Sequence, residues 1–250
     1  MRNLIFRKIL LNRESGKKML AVLLDPDKCE GRLLVNIVSK LKTFTPDFVF
    51  VGGSHTINST NTLIELLKDE LKTDVILFPG NASQFSPKVD ALLYLSLISG
   101  RNAEYLISQH VNSSIAIKES DLEVIPTAYI LIDGGKTSSV EYMSNTRPIP
   151  NDKYDIAVST AVAGELLGMK LVYLEAGSGA LNPVPAGMIK AVHDGLSAPL
   201  IVGGGIKTKE NLRNTFEAGA DLVVIGNAFE SEPGKIEEFI ELTLEYNQKK

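Results

Sequence analysis

The sequence is poor in the residues that build disulfide frameworks and zinc sites. It holds one cysteine, Cys29, and three histidines, His55, His110 and His193. A single cysteine excludes an internal disulfide framework and any cysteine-based zinc cluster, and the histidines lack metal-ligand spacing. Cys29 follows the acidic loop 25–28, where a nearby carboxylate disfavours a thiolate, so we interpret it as a packing residue.

Long apolar runs and an excess of positive charge are also missing. The apolar residues 4–6 are interrupted by Arg7 and Lys8, which leaves no signal-peptide core, and no stretch is long enough to span a membrane. A net charge of -4 gives no electrostatic footprint for nucleic acid. We therefore expect a cytoplasmic protein with no transmembrane segment and no nucleic-acid partner.

Eight short aliphatic runs alternate with helix patterns along the chain. The predicted strands are Met19–Leu24, Phe48–Val51, Val75–Phe78, Leu92–Ile98, Tyr129–Ile132, Leu171–Leu174, Leu200–Val202 and Leu222–Ile225. They are apolar on both faces, as the strands of a buried parallel sheet must be. An amphipathic helix over residues 1–18 precedes them.

The length of 250 residues is near that of one (β/α)8 barrel. We therefore predict an α/β fold with a single domain over residues 1–250, a TIM-type (β/α)8 barrel with a short N-terminal helix. A doubly wound open sheet is the alternative, because it has the same alternation of strands and helices.

The predicted strands end in polar or glycine-rich residues, whereas they begin after ordinary turn residues. In chain order the ends are Asp25, Gly52–Ser54, Pro79–Asn81, Ser99–Gly100, Asp133–Gly135, Glu175–Gly179, Gly203–Gly205 and Gly226–Asn227. Active groups of such barrels cluster at the C-terminal ends of the strands. This asymmetry predicts one functional face.

Three successive strands, the last three, stop in small residues that a helix pattern follows. Their glycine-rich ends are Ala176-Gly177-Ser178-Gly179, Gly203-Gly204-Gly205 and Gly226-Asn227. Small residues let a ligand approach the backbone, and amides at helix N-termini attract anions. Because loops after the last strands commonly hold a phosphate in these barrels, we predict a phosphate site here.

Two strand ends carry oxygen ligands suited to a metal. A carboxylate at Asp25 points toward the barrel mouth, where a Mg2+ ion shared with a phosphorylated substrate could bind, and Ser54 could add a hydroxyl ligand. Helix capping is the alternative role for Asp25, Asp27 or Ser54. We favour a metal ligand for Asp25 and a cap or solvent contact for Asp27.

Glu175 is the only acid among the three glycine-rich strand ends. A spare carboxylate beside a phosphate is repulsive unless it has another task, and a general base that deprotonates a substrate hydroxyl is such a task. A salt bridge within the barrel top is the alternative. Tyr173 lies two residues earlier on the same side of the strand, so its hydroxyl is expected to reach the same ligand.

The segment from Gly134 to Asp152 is long and polar, and it shows neither a helix nor a strand period. Long segments of this kind are usually lids or binding loops, and this one carries Lys136 and Arg147 to meet a diphosphate. A disordered surface loop is the alternative.

Taken together, these motifs resemble the geranylgeranylglyceryl phosphate synthases. The resemblance is carried, in order, by Leu24-Asp25-Pro26-Asp27-Lys28, Val51-Gly52-Gly53-Ser54, Tyr173-Leu174-Glu175-Ala176-Gly177-Ser178-Gly179, Val202-Gly203-Gly204-Gly205-Ile206 and Gly226-Asn227. The family is a modified (β/α)8 barrel. It joins sn-glycerol 1-phosphate to a prenyl diphosphate such as geranylgeranyl diphosphate, which makes the first ether bond of an archaeal-type lipid.

The resemblance implies roles for particular residues. Asp25 and Ser54 would be Mg2+ ligands, and glycerol phosphate would be held by Tyr173, Leu174, Glu175, Ala176, Gly177, Ser178, Gly179, Gly204, Gly205, Gly226 and Asn227. Some relatives carry a lysine two residues before the metal aspartate, where this chain has Leu23. That departure puts a lysine contact to the phosphate from this position in doubt.

The implied chemistry agrees with the residue types. Mg2+ would neutralise the departing diphosphate, and Glu175 would take the proton of the attacking hydroxyl. The prenyl tail needs an apolar groove, for which Phe78, Phe85 and Tyr94 are candidates, with core packing as the alternative. We also expect a homo-oligomer with peripheral contact to a membrane.

Two other functions remain open from the sequence alone. A phosphate-binding lyase or isomerase barrel, like those of tryptophan or thiamine biosynthesis, uses similar glycine-rich strand ends with a base on an earlier strand. A barrel retained as a phospho-ligand sensor or scaffold is the non-enzymatic alternative.

Overall fold

Eight parallel strands close into a barrel in the computed structural model, which describes residues 4–248. The strands are β1 Met19–Leu24, β2 Phe48–Val51, β3 Val75–Leu77, β4 Ala91–Leu97, β5 Glu123–Leu131, β6 Leu171–Glu175, β7 Leu200–Gly203 and β8 Leu222–Ile225. Each strand pairs with the next, and β1 pairs with β8 through Met19 opposite Leu222. The closed ring confirms the predicted barrel and excludes an open sheet.

Helices surround the barrel in chain order. They are α1 Leu4–Glu14, α2 Gly31–Thr43, α3 Thr60–Glu70, α4 Gln109–Glu119, α5 Ser139–Ser144, α6 Tyr154–Leu166, α7 Ala186–Asp194, α8 Lys209–Glu217, α9 Asn227–Ser231 and α10 Lys235–Gln248. A π-helical turn over Glu104–Ser108 leads into α4. None of the helices within residues 4–248 is both long and apolar enough to cross a membrane.

The barrel is modified between β3 and β4. Every residue of this connection is described, and it contains one 3-10 turn, Ala82–Gln84, and no α-helix. We call residues 78–90 the short β3–β4 connection. Because no helix covers the strands there, the outer surface of β4 is open to a different partner.

Strand side chains alternate between two apolar layers, as the pleat requires. Met19 and Phe48 belong to the barrel interior, whereas Leu20 and Val49 pack outward against the helices. Cys29 is buried in the outer layer, and burial raises the pKa of its thiol to about 12, in agreement with a packing role.

The predicted N-terminal helix is α1, which closes the N-terminal end of the barrel. Its side chains Ile5 and Ile9 join the interior apolar cluster. The buried carboxylate of Glu123, at the start of β5, accepts the backbone N–H groups of Ile5 and Phe6 at 2.9 and 2.8 Å. These first amides of a helix have no partner within the helix, so Glu123 acts as its cap. Residues 1–3 of the predicted helix lie outside the described part.

Two sequence interpretations need correction. β5 begins at Glu123, six residues before the predicted start, because Glu123 and Pro126 interrupt the apolar pattern that indicates a strand. The segment after β5 is not structureless, since it contains α5 and pairs Ile149 with Ile132. A helix of six residues is too short to show a helical period in the sequence.

Candidate active site

A cavity of about 310 Å3 opens at the C-terminal ends of the strands. Its walls bring together most of the predicted site residues: Asp25, Ser54, Tyr173, Glu175, Ser178, Gly179, Gly204, Gly205, Gly226 and Asn227. Leu174 and Ala176 instead pack in the outer apolar layer, and the N–H of Gly177 donates to Glu175. The C-terminal face therefore carries the candidate active site.

The backbone around Gly204 leaves no room for a side chain. Gly204 has a φ of +82°, and an added Cβ would lie 2.7 Å from the nitrogen of Gly177 and still closer to Glu175 Oε1. Only glycine tolerates this combination of left-handed backbone and close approach. The ends of β6 and β7 are thus pressed together at the wall of the cavity.

Hydrogen-bond donors of the β6 end meet the start of α9. The hydroxyl of Ser178 donates to Asn227 Oδ1 at 2.9 Å, and the N–H of Gly179 donates to the same oxygen at 3.1 Å. An amide oxygen thus accepts two donors that a phosphate oxygen could also accept.

Lysines surround this part of the cavity. An added Cβ at Gly179 would lie 3.4 Å from Lys136 Nζ, so the loop after β5 brings its cation to the end of β6. Lys28 and Lys207 line the cavity as well. Cations and backbone donors together make this wall suited to an anion.

Glu175 and Tyr173 lie side by side at the end of β6. An added Cβ at Gly203 would lie 3.0 Å from Glu175 Oε2 and closer still to the hydroxyl oxygen of Tyr173. Among residues 4–248, the buried Tyr173 hydroxyl has no hydrogen-bond partner. A buried hydroxyl without a protein partner is suited to bind a polar group of a ligand.

Burial sets the protonation of this pair. It raises the pKa of Glu175 to about 7, although the N–H of Gly177, which donates to Oε1 at 2.7 Å, opposes the shift. Burial also raises the pKa of Tyr173 well above its usual range, and the neighbouring Glu175 adds to this effect. Glu175 is therefore poised to exchange a proton near neutral pH, while Tyr173 keeps its proton.

An aromatic cluster that the sequence interpretation missed forms the floor of the site. Tyr129 on β5 lies directly opposite Tyr173 on β6, with ring centroids 5.3 Å apart, and Phe78 stacks on Tyr173 at the same distance. Tyr129 lay inside a predicted strand and carried no motif. Its place opposite Tyr173 follows from strand register, which only the structure supplies.

A second, apolar cavity adjoins the first, and we call it the side groove. The short β3–β4 connection, β4 and α4 form its walls, which include the candidates Phe78, Phe85 and Tyr94. Gly53, Ser54, Phe78, Tyr129 and Val140 line both cavities. The polar cavity and the side groove therefore meet at these residues.

Asp25 faces the cavity with one oxygen on a cation. Its Oδ2 lies 3.2 Å from Lys28 Nζ, and its Oδ1 accepts the N–H of Asp27 at 3.0 Å. An added Cβ at Gly53 would lie 3.0 Å from Oδ2, which places the carboxylate beside the end of β2 that carries Ser54.

Asp27 has a structural role instead. Its carboxylate accepts the backbone N–H groups of Ile57 and Asn58, and these bonds hold its pKa below the usual range. It thus fixes the loop after β2 and does not cap α2.

Within residues 4–248, no three histidine, cysteine, aspartate or glutamate side chains come together as a metal site. The hard oxygens of Asp25 and Ser54 fit a different arrangement, in which Mg2+ takes one or two protein ligands and completes its shell with substrate and water oxygens.

These features define a phosphate-binding (β/α)8 barrel whose polar mouth is joined to an apolar groove. Residues 13–243 match the PcrB family, and the chain belongs to this family. It is 48% identical over 239 residues to a geranylgeranylglyceryl phosphate synthase of Chitinophaga pinensis, which covers 95% of each protein.

The structural comparisons agree. A crystal structure of (S)-3-O-geranylgeranylglyceryl phosphate synthase from Thermoplasma acidophilum, in complex with sn-glycerol-1-phosphate, is similar with a TM-score of 0.88 and 31% identity, covering 98% of each chain. Thiamine phosphate pyrophosphorylase from Pyrococcus furiosus has a TM-score of 0.57 at 13% identity, covering 93% of this chain and 98% of its own, and thus shares the fold alone.

Proposed function

We propose that the protein joins sn-glycerol 1-phosphate to geranylgeranyl diphosphate, or to a similar long prenyl diphosphate, and releases diphosphate. The observation that carries this proposal is the junction of a polar cavity with an apolar side groove at Ser54, Phe78 and Tyr129. A phosphorylated alcohol and a lipid diphosphate need two such compartments. The similar synthases of Chitinophaga pinensis and Thermoplasma acidophilum support the same reaction.

The acceptor substrate fits the wall formed by the ends of β6, β7 and β8. The Ser178 hydroxyl, the Gly179 N–H and the nearby lysines would bind its phosphate. Anchoring this end places the attacking hydroxyl beside Tyr173 and Glu175, which replaces a bimolecular encounter with a local one. Glu175 then accepts the hydroxyl proton as the oxygen attacks the allylic carbon.

Asp25 and Ser54 would hold Mg2+ at the side where the polar cavity meets the groove. When bound, the ion neutralises the negative charge that develops on the departing diphosphate. The protein residues at this side orient the diphosphate so that its allylic carbon faces the acceptor hydroxyl.

The side groove is the place for the prenyl chain. Its apolar lining removes the chain from water, and each methylene that it buries favours binding by about 0.8 kcal/mol. A lyase or isomerase that acts on small phosphorylated metabolites has no use for such a groove, which favours the prenyltransferase. Incubation with sn-glycerol 1-phosphate and labelled prenyl diphosphate should yield an ether whose mass equals the two joined parts; absence of the ether would refute the proposal.

Filling the space at Gly204 should abolish measurable glycerol phosphate binding. In Gly204→Val the new side chain would strike Glu175 and the backbone nitrogens of Ala176 and Gly177. Titration calorimetry with glycerol phosphate measures the loss, and prenyl diphosphate binding should persist. Gly168→Val is the matched control, because Gly168 has a similar φ of +85° but nothing within 4 Å of an added Cβ. Loss of both ligands by a folded variant would show that the two subsites are not separate.

Narrowing the side groove should change the preferred chain length. Ser113→Phe adds a ring to a buried position of the groove wall, and overpacking of this kind costs about 1–3 kcal/mol. We expect kcat/KM to fall roughly tenfold or more for geranylgeranyl diphosphate and much less for geranyl diphosphate. Ser114→Phe is the control, since Ser114 does not line the groove. Equal losses for both donors would argue against the groove as the prenyl site.

A further inference from the structure

One cation links the two halves of the site. The ammonium group of Lys28 lies 3.2 Å from Asp25 Oδ2, 3.3 Å from Ser178 Oγ and 3.6 Å from Glu230 Oε2. These partners follow β1, β6 and β8, respectively. Lys28 therefore spans the gap between the proposed metal ligand and the glycine-rich end of β6. Its side chain is 42% exposed, so it can move without disturbing the core.

The cavity is rich in acidic groups for a site that takes an anion. Asp25, Glu175 and Glu230 all line it, and burial raises the pKa of Glu230. A phosphate that enters beside these carboxylates is repelled unless a cation lies between them. Lys28 has this position, since it contacts two of the three acids and also the Ser178 hydroxyl.

The neighbouring amide completes a ring of contacts. Asn227 Nδ2 donates to Glu230 Oε2 at 3.2 Å, while its Oδ1 accepts the Ser178 hydroxyl. Lys28 in turn contacts both Ser178 and Glu230, which closes the ring. The ammonium group thus sits against the same donors that would bind the phosphate, and it adds a positive charge to them.

We propose that Lys28 is a further substrate-binding residue. Its ammonium group binds the phosphate of the acceptor substrate and leaves Asp25 when a divalent cation binds that carboxylate. This inference rests on the proposed function and deepens it, because it assigns the charge that makes an acid-rich cavity accept a phosphate.

Calorimetric titration with sn-glycerol 1-phosphate, without prenyl diphosphate, tests the first part. Lys28→Met keeps the length of the side chain and removes the charge. Its affinity should fall about 10- to 100-fold, the range expected for the loss of one hydrogen bond to a charged group. Lys40→Met is the matched control, since Lys40 also pairs with a glutamate, Glu237 at 3.1 Å, but lies outside the cavity. It should bind like the unaltered protein.

Mn2+ binding, measured by electron paramagnetic resonance, tests the second part. The substrate-free Lys28→Met protein should bind Mn2+ several-fold more tightly, because Asp25 has lost a competing cation. Unaltered protein that binds glycerol phosphate, together with a Lys28→Met variant that binds it equally well, would overturn the inference and leave the proposed function intact. Failure of the unaltered protein to bind glycerol phosphate would overturn the proposed function itself. Unchanged Mn2+ affinity in the variant would refute the release from Asp25.

Discussion

Asp25→Asn should reduce turnover by roughly a hundredfold or more while the fold stays intact. The variant keeps the shape of the side chain but loses the charge that would hold Mg2+ against the departing diphosphate, and such stabilisation is typically worth several kcal/mol. Asp25 is partly exposed and its Oδ1 bond to the N–H of Asp27 can be kept by an amide oxygen, so little stability is lost. Initial rates over a range of Mg2+ concentrations measure the effect.

Asp27→Asn gives the contrasting result. Asp27 holds the loop after β2 through the N–H groups of Ile57 and Asn58, so its loss should lower Tm and leave the Mg2+ dependence unchanged. Near-normal rates for Asp25→Asn at ordinary Mg2+ concentrations would mean that Asp25 serves only the local loop structure.

Glu175→Gln should lower kcat by about 10^2- to 10^4-fold while glycerol phosphate still binds, because a positioned general base contributes about this much. In the unaltered enzyme the rate should rise with pH and level off above about pH 7, the pKa to which burial raises Glu175. The carboxylate form is the active base, so the rate falls as protons bind. Lost binding with an unchanged residual rate at saturation would show that Glu175 is a binding residue.

The same substitution has an opposite effect on stability. The pKa of Glu175 is about 7 in the folded protein and near 4.5 when the side chain is in water, so folding favours the protonated form. The unaltered protein therefore loses stability as pH rises from about 4.5 to 7. Glu175→Gln should accordingly raise Tm at pH 8 more than at pH 5, and calorimetry at both values measures the difference. A Tm gain that is equal at both values would mean that burial does not shift this carboxyl.

The sequence was most informative where local chemistry decides the structure. β1, β2 and β8 have the predicted limits, because each is a purely apolar run bounded by turn residues. The glycine-rich ends of β6, β7 and β8 could be placed on one face because all parallel strands of a barrel end on the same side.

Contacts between distant segments could not be predicted in this way. Lys28 reaches Ser178 across 150 positions of the chain, and no local pattern signals that pairing. Glu123 interrupts the apolar pattern of β5 because it caps α1, more than a hundred residues away. The side groove depends on the short β3–β4 connection, whose length was visible but whose consequence for the outer surface was not.

The short β3–β4 connection has a consequence for how two immiscible reactants can meet. A water-soluble phosphate ester approaches along the barrel axis, whereas a lipid reaches the reaction centre across the barrel wall, through the side groove. The two routes are nearly independent, so neither reactant has to pass the binding position of the other. The oily chain can also remain partly within its own phase while its reactive end is inside the protein. A barrel with a full outer ring of helices would force both reactants through a single entrance and would have to solvate the whole lipid first.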